Sequence, residues 1–289
     1  MIENEALEFV TIENSKVKAS INLLGAELID WTSKGSGTNH LWTESGWPNT
    51  APILFPIVGN LAHSTYRYDG QEYKLSRHGF ARNSMFKVLV LHSNQVILEL
   101  TDSEDTRAVY PFNFQFKVMF TLEDEKLSIR YEVTNTGQKA MLFSLGSHPA
   151  FIHTKSATLE FESLSVPFEG DNGFIDFTKQ SHVNWENNTI ALDDYDFKQG
   201  PLYFRDIKPQ TIQLKNADTI ISMCILNVPF LGIWKKPGCD FICIEPWYGI
   251  TSRAGDNIES LEDKMGIQSL SVNESFSTEY QLQASTFCV

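Results

Sequence analysis

Two residues stand out because their surroundings fit acid and base chemistry. His148 lies in the sequence Gly-Ser-His-Pro, where proline restricts φ and glycine permits a special backbone conformation, which together imply a definite, tightly fixed backbone around the imidazole. Glu245 follows the apolar run 241–244 and precedes a proline. A carboxylate in such a place is costly unless it is paired, hydrogen-bonded or open to a pocket. An imidazole and a carboxylate can move protons at neutral pH, so the two residues are candidates for an acid and a base.

Each residue also has a plainer interpretation. His148 could be a structural histidine, and Glu245 could be a strand-end glutamate that faces solvent. The aromatic residues after Glu245 favour the functional interpretation, because sugar sites pack an aromatic face against the C–H face of a pyranose. Trp247 is therefore a candidate substrate-binding residue. Trp47 and Phe55 are further aromatic candidates, although both residue types are more often found in the core.

A third segment carries basic residues. His78 precedes a glycine and lies between Arg77 and Arg82. We expect its backbone to be loop-like and its ring to be accessible, and a plain surface histidine is the alternative. The two arginines could hold one anion, because guanidinium groups match phosphate oxygens.

Short strands must position these side chains. Alternation of apolar and polar residues, bounded by turn residues, recurs from end to end of the chain. An Asp-Gly pair between 66–68 and 71–73 predicts a type I′ hairpin. Only 105–110 and 258–265 have helical character, and 171–199 is the least patterned region. Many short strands with almost no helix predict an all-β fold, a large sandwich or a barrel. Further strands are predicted at 16–23, 27–32, 86–91, 96–101, 114–122, 126–133, 141–145, 157–162, 211–215, 219–225, 232–235, 241–245 and 276–282.

The composition limits the class of protein. The chain has 289 residues and is 42% hydrophobic, with 20 Phe, 9 Tyr and 6 Trp, which is enough for a substantial core. No linker is visible, so we predict a single domain over 1–289. A net charge of −13 without a basic run argues against nucleic-acid and anionic-membrane partners.

Neither a metal site nor a targeting segment is expected. Cys239 and Cys243 have a spacing that zinc sites use, but a second ligand pair at a matching interval is absent. The N-terminal residues 1–8 carry three glutamates and no apolar run, which predicts no signal peptide and no membrane helix. A cytoplasmic location is the default expectation.

Four motifs, in order along the chain, carry a family resemblance. They are Pro-Ile-Leu-Phe-Pro-Ile-Val-Gly at 52–59, Arg-His-Gly-Phe-Ala-Arg at 77–82, Gly-Ser-His-Pro-Ala-Phe at 146–151 and Cys-Ile-Glu-Pro-Trp-Tyr-Gly at 243–249. With these motifs the chain resembles the aldose 1-epimerase (galactose mutarotase-like) family, in its LacX-like branch. The resemblance implies a β-supersandwich fold and an isomerase that interconverts the α and β anomers of a hexose without a cofactor.

The resemblance also implies roles for individual residues. Glu245 matches the catalytic base, His148 the catalytic acid and His78 a substrate-orienting histidine. Arg82 matches an arginine that related hexose-6-phosphate epimerases use near the phosphate. Asp206 is a less certain match for a hydroxyl-binding aspartate. The mechanism requires Glu245 to be ionised while His148 is protonated.

Two positions depart from the family pattern. Asn60 stands where relatives usually carry Arg, and Arg77 stands where Gln is common. Asn60 can bind a hydroxyl but brings no charge, so the sugar that is bound can differ. Asn60 and Arg77 are kept as candidate substrate-binding residues.

Several alternatives stay open at this point. One is a hexose-6-phosphate 1-epimerase, and another is a non-catalytic sugar-binding protein of the same fold. A glycosidase would need a second carboxylate, for which Asp206 is the candidate. A cupin-like metal enzyme is disfavoured because closely spaced His-X-His ligands are absent. The protein is expected to be a monomer or a homodimer.

Overall fold

A computed structural model describes residues 8–286, except 164, 172, 182, 184, 194, 254 and 256. Residues 1–7 and Cys288 lie outside this range. Strands are the main regular structure of the described part of the chain, which has very little helix. One short helix is present, α1 (Glu104–Val109), and Ser103 caps its first turn by accepting a hydrogen bond from Thr106 N–H. Single 3₁₀ turns occur at Ala62–Ser64, Ala81–Asn83, Phe197–Gln199 and Leu261–Asp263.

The strands are short, as the spacing of turn residues predicts. In chain order they are β1 (Phe9–Glu13), β2 (Val17–Asn22), β3 (Glu27–Ser33), β4 (Thr38–Asn39), β5 (Ile53–Leu54), β6 (Thr65–Tyr68), β7 (Gln71–Lys74), β8 (Lys87–His92), β9 (Gln95–Thr101), β10 (Phe114–Glu123), β11 (Lys126–Asn135), β12 (Met141–Phe143), β13 (Leu145–Ser147), β14 (Ala150–Ile152), β15 (Thr158–Glu160), β16 (Phe168–Asp171), β17 (Phe174–Gln180), β18 (Trp185–Glu186), β19 (Thr189–Ala191), β20 (Leu202–Arg205), β21 (Gln210–Lys215), β22 (Thr219–Ile225), β23 (Phe230–Trp234), β24 (Phe241–Tyr248), β25 (Gln268–Leu270) and β26 (Ser275–Thr286).

Two large antiparallel sheets dominate the fold. The larger has ten strands in the order β18-β19-β15-β21-β22-β26-β11-β10-β9-β8. The other is built from β17-β16-β20-β23-β24-β13-β5, with β14 also pairing with β24. We call them the ten-stranded sheet and the site sheet. A smaller sheet, β1-β2-β3-β4, and the pairs β12-β25 and β6-β7 complete the set.

Alternating burial makes one face of each sheet apolar. In β10, Phe114, Phe116, Val118 and Phe120 are buried, while the residues between them are partly exposed. Buried and exposed residues also alternate in β11, and its buried residues lie opposite those of β10, as Val133 lies opposite Phe116. Residues two apart share one face of a strand, so this pattern requires a second apolar layer against the sheet.

The site sheet supplies that layer. The ring of Phe55, which follows β5, stacks on Phe116 with centroids 4.8 Å apart. The hydroxyls of Ser147 in β13 and Tyr280 in β26 are hydrogen-bonded at 2.8 Å in the buried interior. The two sheets therefore pack face to face around a shared core, and the predicted all-β sandwich is confirmed.

Most predicted elements are present, with some differences. The hairpin of β6 and β7 turns at Asp69 and Gly70, both with positive φ, as a type I′ turn requires. Of the predicted helix at 258–265, only the 3₁₀ turn Leu261–Asp263 is formed. The weakly patterned region 171–199 contains β17, β18 and β19. The predicted strand 241–245 does not end there but runs on to Tyr248 through Pro246.

Candidate active site

Strand pairing places His148 directly opposite Glu245. Strands β13 and β14 both pair with the same edge of β24 and in the same register, so that Gly146 faces Trp247 and Ala150 faces Cys243. Midway between these two pairs lie His148, between β13 and β14, and Glu245, in β24. In this register the two residues are opposite each other. Side chains directly across two antiparallel strands lie within contact distance. The pairing therefore brings together two residues that are far apart in the sequence.

Two prolines interrupt the hydrogen-bond ladder at this point. Pro149 follows His148 and Pro246 follows Glu245, and neither has an N–H to donate. The described bond at this gap runs from Ile244 N–H to Pro149 O, at 3.3 Å. The break explains why β13 and β14 are two short strands rather than one.

The face of the sheet that carries Glu245 is turned away from the main core. Ile244 and Tyr248 belong to the core between the two sheets, whereas Cys243 and Trp247 belong to two smaller apolar clusters on the other face. Side chains in a strand alternate between its two faces, so Glu245 lies on the same face of β24 as Cys243 and Trp247, opposite to the face of Ile244 and Tyr248. The carboxylate thus lies between two apolar clusters on the outer face of the site sheet.

His148 and Glu245 are in contact and almost fully enclosed. His148 Nε2 lies 3.1 Å from Glu245 Oε2. The two groups are not aligned as a hydrogen bond, and among the described residues Oε2 and His148 Nδ1 have no hydrogen-bond partner. His148 is 6% exposed and Glu245 2% exposed. Buried polar atoms without partners are rare in folded proteins and indicate a functional role or an absent ligand.

Burial shifts both groups toward their uncharged forms. Loss of solvation, reinforced by the charge of Arg77, lowers the pKa of His148 to about 3. Loss of solvation raises the pKa of Glu245 well above its usual range, although the Arg77 guanidinium opposes this shift. In the absence of sugar, one proton is therefore expected on the carboxyl group and the imidazole is neutral, which differs from the charged pair expected from the sequence.

Trp247 forms one wall of the site. Its indole lies over two glycines, because a Cβ on Gly232 would come within 2.5 Å of the ring and a Cβ on Gly146 equally close. Gly232 is the residue of β23 that faces Glu245. The ring is therefore held flat on the sheet beside the carboxylate, and its Nε1 has no hydrogen-bond partner among the described residues.

Two further tryptophans enclose the imidazole. Trp47 stacks on His148 with centroids 5.2 Å apart, and Trp234 meets it edge-on at 5.8 Å. Trp47 is partly exposed, so it forms an outer wall of the site. Phe55, the other aromatic candidate from the sequence, is fully buried in the core.

His78 lies beside His148 but is not accessible, so the expectation of an accessible ring is wrong. Its ring is 4% exposed and stands perpendicular to that of His148, with centroids 5.7 Å apart. Gly59 N–H donates to His78 Nδ1 at 3.1 Å. Arg77 Nε–H points at the other ring nitrogen, Nε2, at 3.0 Å, and a neutral imidazole cannot accept at both nitrogens. Only after Arg77 has moved away, with Nδ1 accepting from Gly59, does Nε2 carry the proton and donate it to a hydroxyl. The ring is buried because His78, at φ 67, turns the chain inward against Phe55.

The two arginines lie above these histidines. Arg77 is exposed, and its Nε–H donates to His78 Nε2 at 3.0 Å. Arg82 is partly buried and donates to the backbone oxygen of Arg77 at 3.1 Å. Burial lowers the pKa of Arg82, and the neighbouring charge of Arg77 adds to this effect. The positive charges of Arg77 and Arg82 therefore both act on the region around His78 and His148.

Asn60 also lies at this edge of the site. Its Nδ2 donates to Gly173 O at 3.2 Å, and its backbone N–H donates to Thr251 Oγ1 at 2.9 Å. The gap above Gly173 is narrow, since a Cβ there would lie 2.6 Å from Asn60 Nδ2 and 4.0 Å from Arg77 Cζ. Asn60 thus ties the segment after β16 to the loop after β24.

Asp206 is not brought into this cluster. It follows β20, its side chain is 88% exposed, and its described contacts are an ion pair with Arg205 at 3.6 Å and a backbone bond to Pro229. Tyr203, not Asp206, is the residue of β20 in the same cross-strand row as Glu245. Tyr203 lies opposite Gly232 of β23, and Gly232 lies opposite Glu245 of β24. Tyr203 packs against Trp247.

Sequence reasoning missed Tyr203 and Gly232. Each is an ordinary member of a strand, and only the pairing of β20, β23 and β24 brings both to the carboxylate. No local signal in the sequence distinguishes them from other strand residues.

Glu27 anchors the segment that carries Trp47. Its Oε1 accepts from Thr50 N–H at 2.7 Å and from Ala51 N–H at 2.9 Å. We expect Glu27→Ala to lower the free energy of unfolding by about 1–3 kcal/mol, because two partly buried N–H groups lose their acceptor. Glu27→Gln retains an acceptor oxygen and serves as the matched control. Urea denaturation of both variants tests this, and equal losses in the two would contradict it.

Among the described residues, no helix has the length and apolar composition needed to cross a membrane.

The free thiols of the described chain are Cys224, Cys239 and Cys243. Cys239 and Cys243 both lie in the apolar cluster next to His148.

Comparison with known proteins gives consistent matches. The sequence profile of the family described as Aldose 1-epimerase matches residues 8–222. The plasmid-encoded protein LacX of Lactococcus lactis subsp. lactis is 27% identical over 278 residues, covering 88% of this chain and 92% of that protein. A solved structure of a galactose mutarotase related enzyme from Lactobacillus acidophilus has a TM-score of 0.91 and 30% identity, covering 96% of this chain and 97% of that one. An Escherichia coli K12 protein, inferred to be a glucose-6-phosphate 1-epimerase, is 24% identical over 214 residues, covering 66% of this chain and 68% of that protein.

Proposed function

Because this chain belongs to the aldose 1-epimerase family, we propose that it interconverts the α and β anomers of a free hexose by acid and base catalysis. The observation that carries the proposal is the contact between His148 Nε2 and Glu245 Oε2 at 3.1 Å, on the outer face of the site sheet. Aromatic walls on both sides of the pair suit the C–H faces of a pyranose.

The reaction opens and recloses the sugar ring. Glu245 takes the proton of the anomeric hydroxyl while His148 gives a proton to the ring oxygen, so that the C1–O5 bond breaks and the C1 carbonyl forms. Rotation about C1–C2 then presents the other face of the carbonyl. The reverse proton transfers close the ring as the other anomer, and no net proton, electron or atom is gained or lost.

Each proton transfer requires one protonated and one unprotonated group. Burial favours the proton on Glu245 in the empty site. Transfer of that proton across 3.1 Å to His148 produces the working pair. The Arg77 guanidinium stabilises the ionised carboxylate but disfavours the charged imidazole, so its two effects on this transfer oppose each other. The pair holds one proton in either form, as a reversible reaction needs.

The remaining residues bind and orient the sugar. His78 Nε2 can donate to a hydroxyl once Arg77 turns aside, because its other nitrogen is fixed by Gly59. Arg77 is exposed, its Nε contacts His78 and its charge acts on His148 and Glu245, so its movement would free His78 to bind the sugar. Asn60 and Arg82 lie at the same edge and provide further polar contacts. Asp206 would reach the sugar only if its segment moved, since its side chain points to solvent.

A second candidate is a hexose-6-phosphate 1-epimerase. The specific observation in its favour is the proximity of Arg77 and Arg82, whose charges act on each other. Asn60 weighs against it, because a neutral amide adds no positive charge at this edge.

Substrate comparison separates the two candidates. Polarimetry with freshly dissolved glucose, galactose and glucose 6-phosphate should show the highest kcat/KM with a free hexose. If the phosphate ester is the better substrate, Arg77→Gln should lower the kcat/KM for the ester by about tenfold or more relative to the kcat/KM for the free hexose, since a charge-assisted hydrogen bond contributes about 1.5–3 kcal/mol. That outcome would replace the first proposal with the second. Calorimetric binding of a sugar without acceleration would instead indicate a sugar-binding protein.

A further inference from the structure

The thiol of Cys243 lies next to the His148–Glu245 pair, but the proposed reaction does not use it. Cys243 is fully buried and shares a face of β24 with Glu245, two residues away. One donor atom from each of His148, Cys243 and Glu245 lies within 4.8 Å of the other two. The three residues therefore present a nitrogen, a sulfur and an oxygen to one small volume.

This donor set matches the coordination chemistry of zinc. Zinc binds thiolate, imidazole and carboxylate at about 2.0–2.3 Å, with tetrahedral geometry. Ligand atoms around such an ion lie about 3–4 Å apart, so small side-chain rotations would bring these three donors into place. Three protein ligands leave the fourth position of a tetrahedral site for water. Hard cations such as Mg²⁺ prefer oxygen donors, so this mixed donor set favours zinc over magnesium.

A second observation points independently to a ligand. Glu245 Oε2 and His148 Nδ1 are buried and have no hydrogen-bond partner among the described residues. Leaving such atoms unpaired costs free energy, and a bound cation would compensate the carboxylate oxygen. The charge of Arg77 opposes a cation here, but its side chain is exposed and can turn toward solvent.

We propose that His148, Cys243 and Glu245 form a binding site for Zn²⁺ or another thiophilic divalent cation, and that occupancy of this site blocks catalysis. The metal would take up the imidazole and carboxylate lone pairs that proton transfer requires. The blocking effect rests on the proposed function, whereas binding of the metal does not.

Binding is tested on the full chain without reference to activity. After treatment with a chelator, the wild type should bind one Zn²⁺ by calorimetry at this site, and Co²⁺ should give a thiolate-to-metal charge-transfer band. Cys243→Ala should lose the band and weaken Zn²⁺ binding by more than about 100-fold, because losing even an outer-shell partner of a metal site costs 10–100-fold. Cys239→Ala, which removes a buried thiol from the same apolar cluster, is the matched control. It should keep the charge-transfer band and the wild-type affinity for Zn²⁺.

Cys243→Ser provides a second variant if the alanine variant folds poorly, and circular dichroism checks both. Equal Zn²⁺ binding in the wild type and a folded Cys243 variant, or no thiolate band in the wild type, would overturn the site.

Inhibition is measured separately. Zn²⁺ should abolish anomerisation by the wild type and by Cys239→Ala, Mg²⁺ should not, and Cys243→Ala should stay active at the same Zn²⁺ concentration. Bound Zn²⁺ without inhibition would overturn the blocking role. Zn²⁺ binding by a chain that never accelerates anomerisation would leave the metal site standing and refute the proposed function.

Discussion

Glu245→Gln is expected to lower the rate of anomerisation by about 10²- to 10⁴-fold, because the amide can neither accept the anomeric proton nor return it. Glutamine has nearly the same shape, so the sandwich and the aromatic walls should remain intact. His148→Asn should cause a loss of the same order. Since the two groups act as one unit, the double variant should lose little more than either single variant.

The measurement is polarimetry of freshly dissolved α-hexose, corrected for the spontaneous rate. Glu99→Gln is the matched control, because Glu99 lies in β9 of the ten-stranded sheet and is hydrogen-bonded there to Gln115. Sugar affinity, measured by calorimetry, should change far less than kcat. Variants that retain the wild-type rate would show that the His148–Glu245 pair is not the catalytic pair.

Gly232→Ala should strongly impair catalysis although it changes no polar group. The added Cβ would lie 2.5 Å from Cη2 and 2.7 Å from Cζ2 of Trp247, well inside contact distance. The indole cannot slide away easily, since Gly146 confines its other end. Overpacking of this kind costs about 1–3 kcal/mol. If that strain displaces the ring beside Glu245, kcat/KM should fall by about tenfold or more.

Gly35→Ala is the matched control, because nothing lies within 4 Å of its Cβ position. Kinetics with a free hexose and thermal unfolding of both variants separate lost activity from lost stability. Wild-type kcat/KM in Gly232→Ala would exclude Trp247 as a positioned wall of the sugar site.

Local sequence patterns determined the strands well and the helices less well. Period-two alternation is a property of neighbouring residues, and it identified strands such as β10, β11 and β22 with only small shifts at their ends. It failed at 241–245, where Pro246 suggested a strand end. The proline fits within β24 because Ser147, which lies opposite it in this register, is the last residue of β13, so the ladder on this edge is interrupted there before β14 begins.

The sequence also predicted several of the residues that meet at the candidate site. His148, Glu245, His78 and Trp247 stood out by their neighbours and by the family resemblance, and the structure brings all four together. Asp206 is the weakest of the family matches, and its position beyond β20 leaves its side chain in solvent.

The sequence by itself determined which side chains were available and that they would be carried on strands, because residue type and alternation are local properties. Tertiary structure alone decided that His148 faces Glu245, that His78 is buried, and that Tyr203, Gly232 and Cys243 adjoin the same carboxylate. Those relationships depend on which distant strands pair and in which register. A shift of one residue between β24 and its neighbours would turn Glu245 to the opposite face of the sheet, and no local pattern encodes that choice.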